Sequence, residues 1–304
     1  MMKFRVFAES ICGISHRKKF LPCQDSSGTL EFQNVQVIVV ADGHGGSKYF
    51  RSQIGSELAV ETALIQAVIF CSEIESGERF SDNGIKNFIH SIYEKWLIAV
   101  KQDWYECREK IFEEPRWNYV EEEYKNRFMS TDTEILDALI PKAYGTTLIC
   151  AVSIGTQVLI VQIGDGSCVV LQRNGEFKNP VPIDGNNFLN ATSSLCQQDA
   201  VQKFRYVVLD SAEDYPLSPI GIFLSTDGLD DCYPLYENQK YLYNLYGNII
   251  IDNIIDKGFC ATEKELRETF LESIADESSH DDISLAYMMI EDVDLLKNVL
   301  VRQK

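Results

Sequence analysis

The sequence lacks the closely spaced cysteines that cross-link small secreted domains or hold zinc. Its nine cysteines are odd in number, lie far apart and never occur as C-x-x-C, so they indicate neither a disulfide framework nor a zinc site. Histidine is also scarce, with four residues in 304. We interpret the cysteines as small apolar side chains in a reducing compartment and expect a cytoplasmic protein.

Positive charge and long apolar runs are limited as well. The chain has 28 lysines and arginines against 46 aspartates and glutamates, which gives a net charge of −18. A surface of this charge repels phosphate backbones and anionic lipid head groups, which argues against nucleic acid and membranes as partners. Lys3 and Arg5 interrupt the apolar N-terminal residues. No stretch approaches the roughly 18 uninterrupted apolar residues that indicate a transmembrane helix.

The chain contains no internal repeat and no low-complexity linker. Hydrophobic residues make up 45% and charged residues 24%, as in ordinary globular proteins. We therefore expect residues 1–304 to form a single domain with a helical segment at about 76–142 within it. The acidic piece EEPRWNYVEEEYKNR inside that segment is interpreted as a solvated loop.

Short β-branched runs separated by turn residues predict the strands. VQVIVVA at 35–41 ends at Asp-Gly, and apolar residues at helical spacing then predict a helix over 47–70. From residue 145, TTLICAV, QVLIVQI and SCVVLQR predict an antiparallel meander. IGIFLST before Asp227 and ISLAYMMI after Asp282 predict further strands. Runs of strands interrupted by blocks of helix favour an α+β fold with packed antiparallel sheets.

Aspartates lie at the ends of several predicted strands. Asp42, Asp165 and Asp227 each follow an apolar run, and Asp281 and Asp282 precede one. One Asp-Gly pair is usually a plain turn, but the repetition indicates a shared role, because neighbouring antiparallel strands begin and end side by side. Converging carboxylates repel one another unless cations neutralise them. Oxygen ligands favour magnesium or manganese.

Six short segments occur in order along the chain: CQDS at 23–26, VVADGHGG at 39–46, YGTTL at 144–148, IGDGS at 163–167, STDGLDD at 225–231 and HDDIS at 280–284. In this order they resemble the metal-dependent type 2C serine/threonine protein phosphatases, as a divergent, bacterial-type member. The resemblance implies a four-layer α/β/β/α fold, a β-sandwich of two antiparallel sheets flanked by helices. It also implies hydrolysis of phosphoserine or phosphothreonine by water activated between two Mg or Mn ions, with room for a third, weaker ion.

The resemblance assigns roles to individual residues. The implied metal ligands are five carboxylates and one backbone carbonyl: Asp25, Asp42, Gly43, Asp165, Asp227 and Asp281. Asp42 is similar to the carboxylate that bridges both ions and so belongs to the catalytic residues. His44 corresponds to a histidine that protonates the leaving oxygen, a role that suits imidazole.

Two departures from the family's pattern concern substrate and water. Gln24 stands where many members carry a glutamate that holds a water of the metal site. The arginine that binds the substrate phosphate in many members falls on Phe20. His16, Arg17 and Lys19 are candidates to replace it, and the alternative is that they form only a solvated basic loop.

The implied partners are a phosphorylated protein substrate and, as an option, a cognate Ser/Thr kinase system. One alternative keeps the fold but makes the enzyme a hydrolase of small phosphorylated metabolites, which the missing arginine leaves open. A second alternative is an inactive phosphatase-like scaffold. In a third, every Asp-Gly pair is a turn and the helices at 81–110 bind a partner.

Overall fold

The computed structural model describes residues 3–74, 78–183, 192–213 and 215–301. These residues contain ten strands: β1 (Phe4–Ile11), β2 (Ser26–Phe32), β3 (Val35–Ala41), β4 (Leu148–Ile154), β5 (Gln157–Ile163), β6 (Ser167–Gln172), β7 (Phe177–Lys178), β8 (Arg205–Asp210), β9 (Pro219–Ser225) and β10 (Ile283–Ile290). They also contain twelve α-helices: α1 (Ile14–Arg17), α2 (Ser52–Ser72), α3 (Asp82–Ile111), α4 (Glu122–Phe128), α5 (Thr133–Ala143), α6 (Ala200–Lys203), α7 (Asp227–Asp230), α8 (Asn238–Asn244), α9 (Asp252–Lys257), α10 (Phe259–Glu265), α11 (Leu271–Ile274) and α12 (Val293–Val301).

Two five-stranded antiparallel sheets pack face to face. The first has the order β1-β10-β9-β6-β7 and the second the order β2-β3-β4-β5-β8. Along β3, Ile38 and Val40 belong to the core between the sheets, whereas Val37 and Val39 belong to the core under α2 and α3. Because both faces of β3 are buried, its sequence is apolar at every position except Gln36 instead of alternating. The predicted α+β sandwich of two antiparallel sheets flanked by helices is confirmed.

The chain crosses from one sheet to the other between β5 and β6. β4 pairs with β5, but β6 pairs with β9 and β7, with Ser167 opposite Ser225. The predicted meander is therefore wrong at its third strand. Gly164 in the connecting turn has φ 111°, and a Cβ there would lie 2.5 Å from the side chain of Thr147. Only glycine suits this turn.

The helical segment predicted at about 76–142 consists of α3, α4 and α5, and its first two residues lie outside the described ones. The acidic piece after α3 is not the predicted solvated loop. Its Trp117 is buried and packs edge-on against Phe50, with ring centroids 5.0 Å apart. Phe128 packs against the same Phe50 ring at 5.2 Å. Aromatic burial thus outweighs the polar composition of this piece.

Helix α2 alone among the described helices has the length and apolar composition of a membrane span. Its residues Ala59, Ala63 and Ala67 are fully buried in the core against the second sheet. A helix that packs against a sheet in this way is apolar for that reason.

The strand ends that carry aspartates meet at one end of the sandwich. In the second sheet, Ala41 at the end of β3 pairs with Ser26 at the start of β2. In the first sheet, Ser225 at the end of β9 pairs with both Ser167 at the start of β6 and Leu285 near the start of β10. Antiparallel pairing therefore brings the flanking acidic residues to one rim.

Candidate metal centre

A cavity of about 220 Å³ opens at this rim. Its lining includes eight residues singled out in the sequence: His16, Asp25, Asp42, Gly43, His44, Asp165, Asp227 and Asp281. Gln24 and Asp282 also line it. The six metal-ligand candidates, which are spread over more than 250 positions of the chain, thus lie around one small space.

Three of the carboxylates form a compact oxygen cluster. One carboxylate oxygen from each of Asp42, Asp165 and Asp227 lies within 4.8 Å of the other two. The backbone of Asp42 is held on both sides, because its N–H donates to Thr147 Oγ1 at 3.0 Å and its carbonyl accepts from the Thr147 N–H at 2.8 Å. The side chain of Asp42 is therefore left to face Asp227, the first residue of α7.

Asp25 ties the two sheets together beside this cluster. It is 7% exposed, and its Oδ2 accepts a hydrogen bond from Thr226 Oγ1 at 2.6 Å. Thr226 Oγ1 in turn accepts from the Ser284 N–H at 2.9 Å. Asp25 precedes β2, whereas Thr226 and Ser284 belong to the ends of β9 and β10, so one side chain joins both sheets at the cavity.

Burial and mutual repulsion shift the titration of these acids. Burial raises the pKa of Asp42 well above its ordinary value, and the charges of Asp25 and Asp227 raise it further. Burial, followed by the charge of Asp165, raises the pKa of Asp227 to about 6. A divalent cation among these oxygens would favour the charged carboxylates and remove the repulsion. An all-oxygen donor set suits Mg²⁺ or Mn²⁺, so the residues present fit the implied ions.

The glycine-rich loop after β3 approaches the Gln24 backbone closely. The Gly43 N–H donates to the Gln24 carbonyl at 3.1 Å, and a Cβ on Gly43 would lie only 2.4 Å from that oxygen. Ser47–Tyr49 form a 3₁₀ turn, and α2 begins at Ser52, five residues later than predicted. The delay leaves the loop free to curve around the cavity before the helix starts.

His44 is held by the loop and by its aromatic neighbour. Its N–H donates to the Gly145 carbonyl at 3.0 Å, and its ring lies edge-on to Tyr49 with centroids 4.7 Å apart. Burial lowers the pKa of His44 to about 4, with a small opposing effect of Asp165. In the metal-free protein the imidazole is therefore neutral at pH 7.

Of the three basic candidates for phosphate binding, only His16 lines the cavity. Its Nδ1 lies 2.9 Å from Asp282 Oδ2, and its Nε2 lies 3.1 Å from the Gln24 amide. Arg17 pairs instead with Glu272 and Asp276 of the C-terminal helical region. Lys19 is exposed and is not part of the cavity lining.

Sequence reasoning missed Arg116. This arginine is 7% exposed, donates to Ser52 Oγ at 2.8 Å and reaches the Gly45 carbonyl at 3.5 Å. Burial lowers its pKa to about 10. Through these contacts with Ser52 and Gly45, Arg116 supports the loop that carries Gly43. No pattern marked it, because an arginine within an acidic piece has the same local sequence whether it is solvated or buried.

The chain was compared with known proteins. Residues 12–249 match the family model described as Protein phosphatase 2C. Similar solved structures include a bacterial serine phosphatase (16% identity, TM-score 0.53, 96% of this chain and 98% of that chain). Serine/threonine phosphatase Stp1 from Staphylococcus aureus has 15% identity and a TM-score of 0.54, with 96% of this chain and 96% of that chain covered. A C. elegans sex determining protein has 13% identity and a TM-score of 0.60, with 99% of this chain and 68% of that chain covered. Identities this low support the fold alone. No curated protein sequence matches.

Proposed function

The chain belongs to the protein phosphatase 2C family, and from this we propose that it removes phosphate from phosphoserine and phosphothreonine in proteins with two bound divalent cations. The observation that carries the proposal is the oxygen cluster of Asp42, Asp165 and Asp227, whose atoms lie within 4.8 Å of one another. Three buried or partly buried acids at this distance are costly unless cations neutralise them.

We assign the two ions, Mg²⁺ or Mn²⁺, to Asp42, Asp227 and Asp281 and to the carbonyl of Gly43. Asp165 is the proposed ligand of a third, weaker ion. When bound, such ions lower the pKa of a water molecule and neutralise charge on a phosphoryl group. Asp25 holds the rim through Thr226, which keeps the cavity in shape as the acids become charged.

The remaining roles fall to imidazoles. We assign to His44 the transfer of a proton to the leaving serine or threonine oxygen, since its ring lines the cavity and is fixed by Tyr49. His16 is the proposed contact for the substrate phosphate. Its orientation by Asp282 at 2.9 Å supports this role.

The proposed setting is a reducing cytoplasm, in keeping with nine free cysteines. A phosphorylated protein is the proposed substrate, with a Ser/Thr kinase as its source. We also propose that residues 1–304 act as a single domain, because strands from both sheets border one cavity.

The test is hydrolysis of p-nitrophenyl phosphate and of a phosphothreonine peptide by metal-stripped protein, with Mn²⁺ or Mg²⁺ added back. We expect no turnover without metal and turnover of both substrates with it. Asp256→Asn, which removes an exposed acid on α9, is the matched control and should behave as wild type. A strong preference for the aryl ester would indicate a small-molecule hydrolase. Metal binding without any turnover would indicate an inactive scaffold.

A further inference from the structure

A lysine side chain lies beside His44 at the edge of the cavity. Lys48 is partly buried, and its Nζ lies 4.8 Å from the centroid of the Tyr49 ring. The same ring contacts His44, with centroids 4.7 Å apart. The Lys48 ammonium is therefore no farther from the His44 ring than these two distances combined.

A second lysine lies at the end of α5, where the Lys142 carbonyl accepts from the Gly145 N–H at 3.3 Å. Lys142 lies three residues before Gly145, whose carbonyl accepts from the His44 N–H at 3.0 Å. The next carbonyl, that of Thr146, accepts from the Leu195 N–H at 2.9 Å, which brings the segment 192–197 alongside. Burial raises the pKa of Cys196 in that segment, while Lys142 and Lys48 both act to lower it. The charges of both lysines thus act on one thiol.

Neither lysine makes an ion pair within the part of the chain that the structure describes, although acids outnumber bases 46 to 28. Other partly buried lysines do pair: Lys101 with Asp137 and Lys203 with Asp199, both at 3.0 Å. A partly buried cation without a counter-charge gains free energy from any anion that reaches it. Lys48 and Lys142 are two partly buried lysines of this region that keep this capacity.

We propose that Lys48 and Lys142 form an anion subsite beside the metal centre, which binds a carboxylate or second phosphate flanking the phosphorylated residue of a protein substrate. This inference rests on the proposed function and adds a preference among substrates to it. Lysine acts as a point charge without the fork geometry of arginine, so the subsite accepts either anion.

The geometry sets the spacing of the flanking charge. An extended peptide spans at most about 3.3–3.6 Å per residue, so two to three residues cover roughly 7–10 Å. That range includes the largest separation allowed between the His44 ring and the Lys48 ammonium. The favoured acidic or phosphorylated residue therefore lies within about three positions of the phosphorylated residue.

The experiment compares phosphothreonine peptides that differ at one position, one to three residues before or after the phosphothreonine. The position carries aspartate, asparagine or a second phosphothreonine. An accessible ion pair contributes up to about 1 kcal/mol, or about fivefold. We expect wild-type kcat/KM for the best charged peptide to exceed that for the asparagine peptide by about five- to tenfold, mainly through KM. The comparison of the aspartate peptide with the phosphothreonine peptide shows which anion the subsite prefers.

In the double variant Lys48→Gln/Lys142→Gln, the ratio of kcat/KM for the charged peptide to that for the asparagine peptide should fall close to one. Each single variant should give a ratio between those of the double variant and the wild type. Lys240→Gln is the matched control, because Lys240 on α8 is exposed and pairs only with Glu237 at 3.7 Å among the described residues. A wild-type ratio near one for every charged peptide, or a ratio unchanged in the double variant, would overturn the proposal.

Two further readouts separate this proposal from the proposed function. Metal-dependent hydrolysis of p-nitrophenyl phosphate, which has no flanking residue, tests the metal centre alone. Fluorescence anisotropy of labelled peptides on metal-loaded protein measures Kd without turnover, and the same five- to tenfold preference is expected there. If hydrolysis fails while the Kd preference and its loss in the double variant remain, the subsite stands and the catalytic proposal does not.

Discussion

Asp282 accepts a hydrogen bond at its Oδ2 from the backbone N–H of Gln24, at 2.6 Å. Its Oδ1 accepts from the Gly13 N–H at 2.7 Å, and His16 Nδ1 lies 2.9 Å from Oδ2. Although burial raises the pKa of Asp282, these contacts lower it below the ordinary value. One carboxylate thus fastens the segment that carries Asp25 to the start of β10.

Removing this carboxylate should destabilise the protein. In Asp282→Ala the buried N–H groups of Gly13 and Gln24 lose their acceptor, and each unpaired donor costs about 1–3 kcal/mol. We expect a loss of about 3 kcal/mol in the free energy of unfolding, measured by urea denaturation of metal-free protein. Asp281→Asn, at the exposed neighbouring residue, should change the free energy of unfolding by less than about 0.5 kcal/mol. A loss below about 1 kcal/mol in Asp282→Ala would contradict the fastening role.

The strand pattern predicted which aspartates lie at strand ends, and the family resemblance selected Asp281 as a metal ligand, but neither predicted the hydrogen bonds of Asp282. Both aspartates precede the same strand, and the difference is made by the N–H groups of Gly13 and Gln24, which donate to the Asp282 carboxylate from more than 250 positions away. Local patterns predicted β3 and β10 because apolar runs and turn residues are local properties.

The partner of a strand is not a local property, and this accounts for the wrong predictions. The apolar run that forms β6 would look the same in either sheet, so nothing in it indicates pairing with β9 instead of β5. Arg116 was missed for the same reason, because its burial depends on Ser52 and Gly45. The candidate site was found because six short motifs of a known family are local, while the contacts that support it are not.

Asp42→Asn and Asp227→Asn should each abolish hydrolysis without unfolding the protein. Each change removes a metal-binding charge but little volume, and loss of several kcal/mol of charge stabilisation means at least about a 100-fold lower kcat. Burial already raises the pKa of both acids, so the neutral amides should leave the thermal stability of metal-free protein unchanged or higher. Rates near wild type in either variant, at saturating Mn²⁺, would exclude the two-metal assignment.

His44→Ala should slow poor leaving groups more than good ones. A general acid contributes about 100-fold or more when the leaving oxygen needs a proton, as threonine does and p-nitrophenolate does not. We expect about a 100-fold lower kcat on a phosphothreonine peptide and less than about tenfold on p-nitrophenyl phosphate.

The low pKa of His44, about 4 in the metal-free protein because of burial, makes this test necessary. A neutral imidazole must gain its proton once the substrate dianion is bound. Tyr49→Leu, which alters the ring packed against His44 without removing the imidazole, serves as the comparison variant. Equal losses on both substrates in His44→Ala would exclude His44 as the acid.

Asp230→Asn should stabilise the metal-free protein, and more so at high pH. Asp230 accepts from Ser167 Oγ through Oδ2, while its buried Oδ1 has no hydrogen-bond partner among the described residues.

Burial, followed by the charges of Asp227 and Asp231, raises the pKa of Asp230 from 3.8 to about 7. Because the folded-state pKa lies above the unfolded-state value, the folded state loses stability as pH rises from about 4 to 7 and bears the full cost above pH 7. Each pKa unit corresponds to about 1.4 kcal/mol. Asparagine has no proton to lose, so we expect its Tm to exceed the wild-type Tm by more than twice as much at pH 8 as at pH 5. Asp256→Asn should show no such pH dependence, and a lower Tm for Asp230→Asn at pH 8 would show that the charged form of Asp230 stabilises the fold.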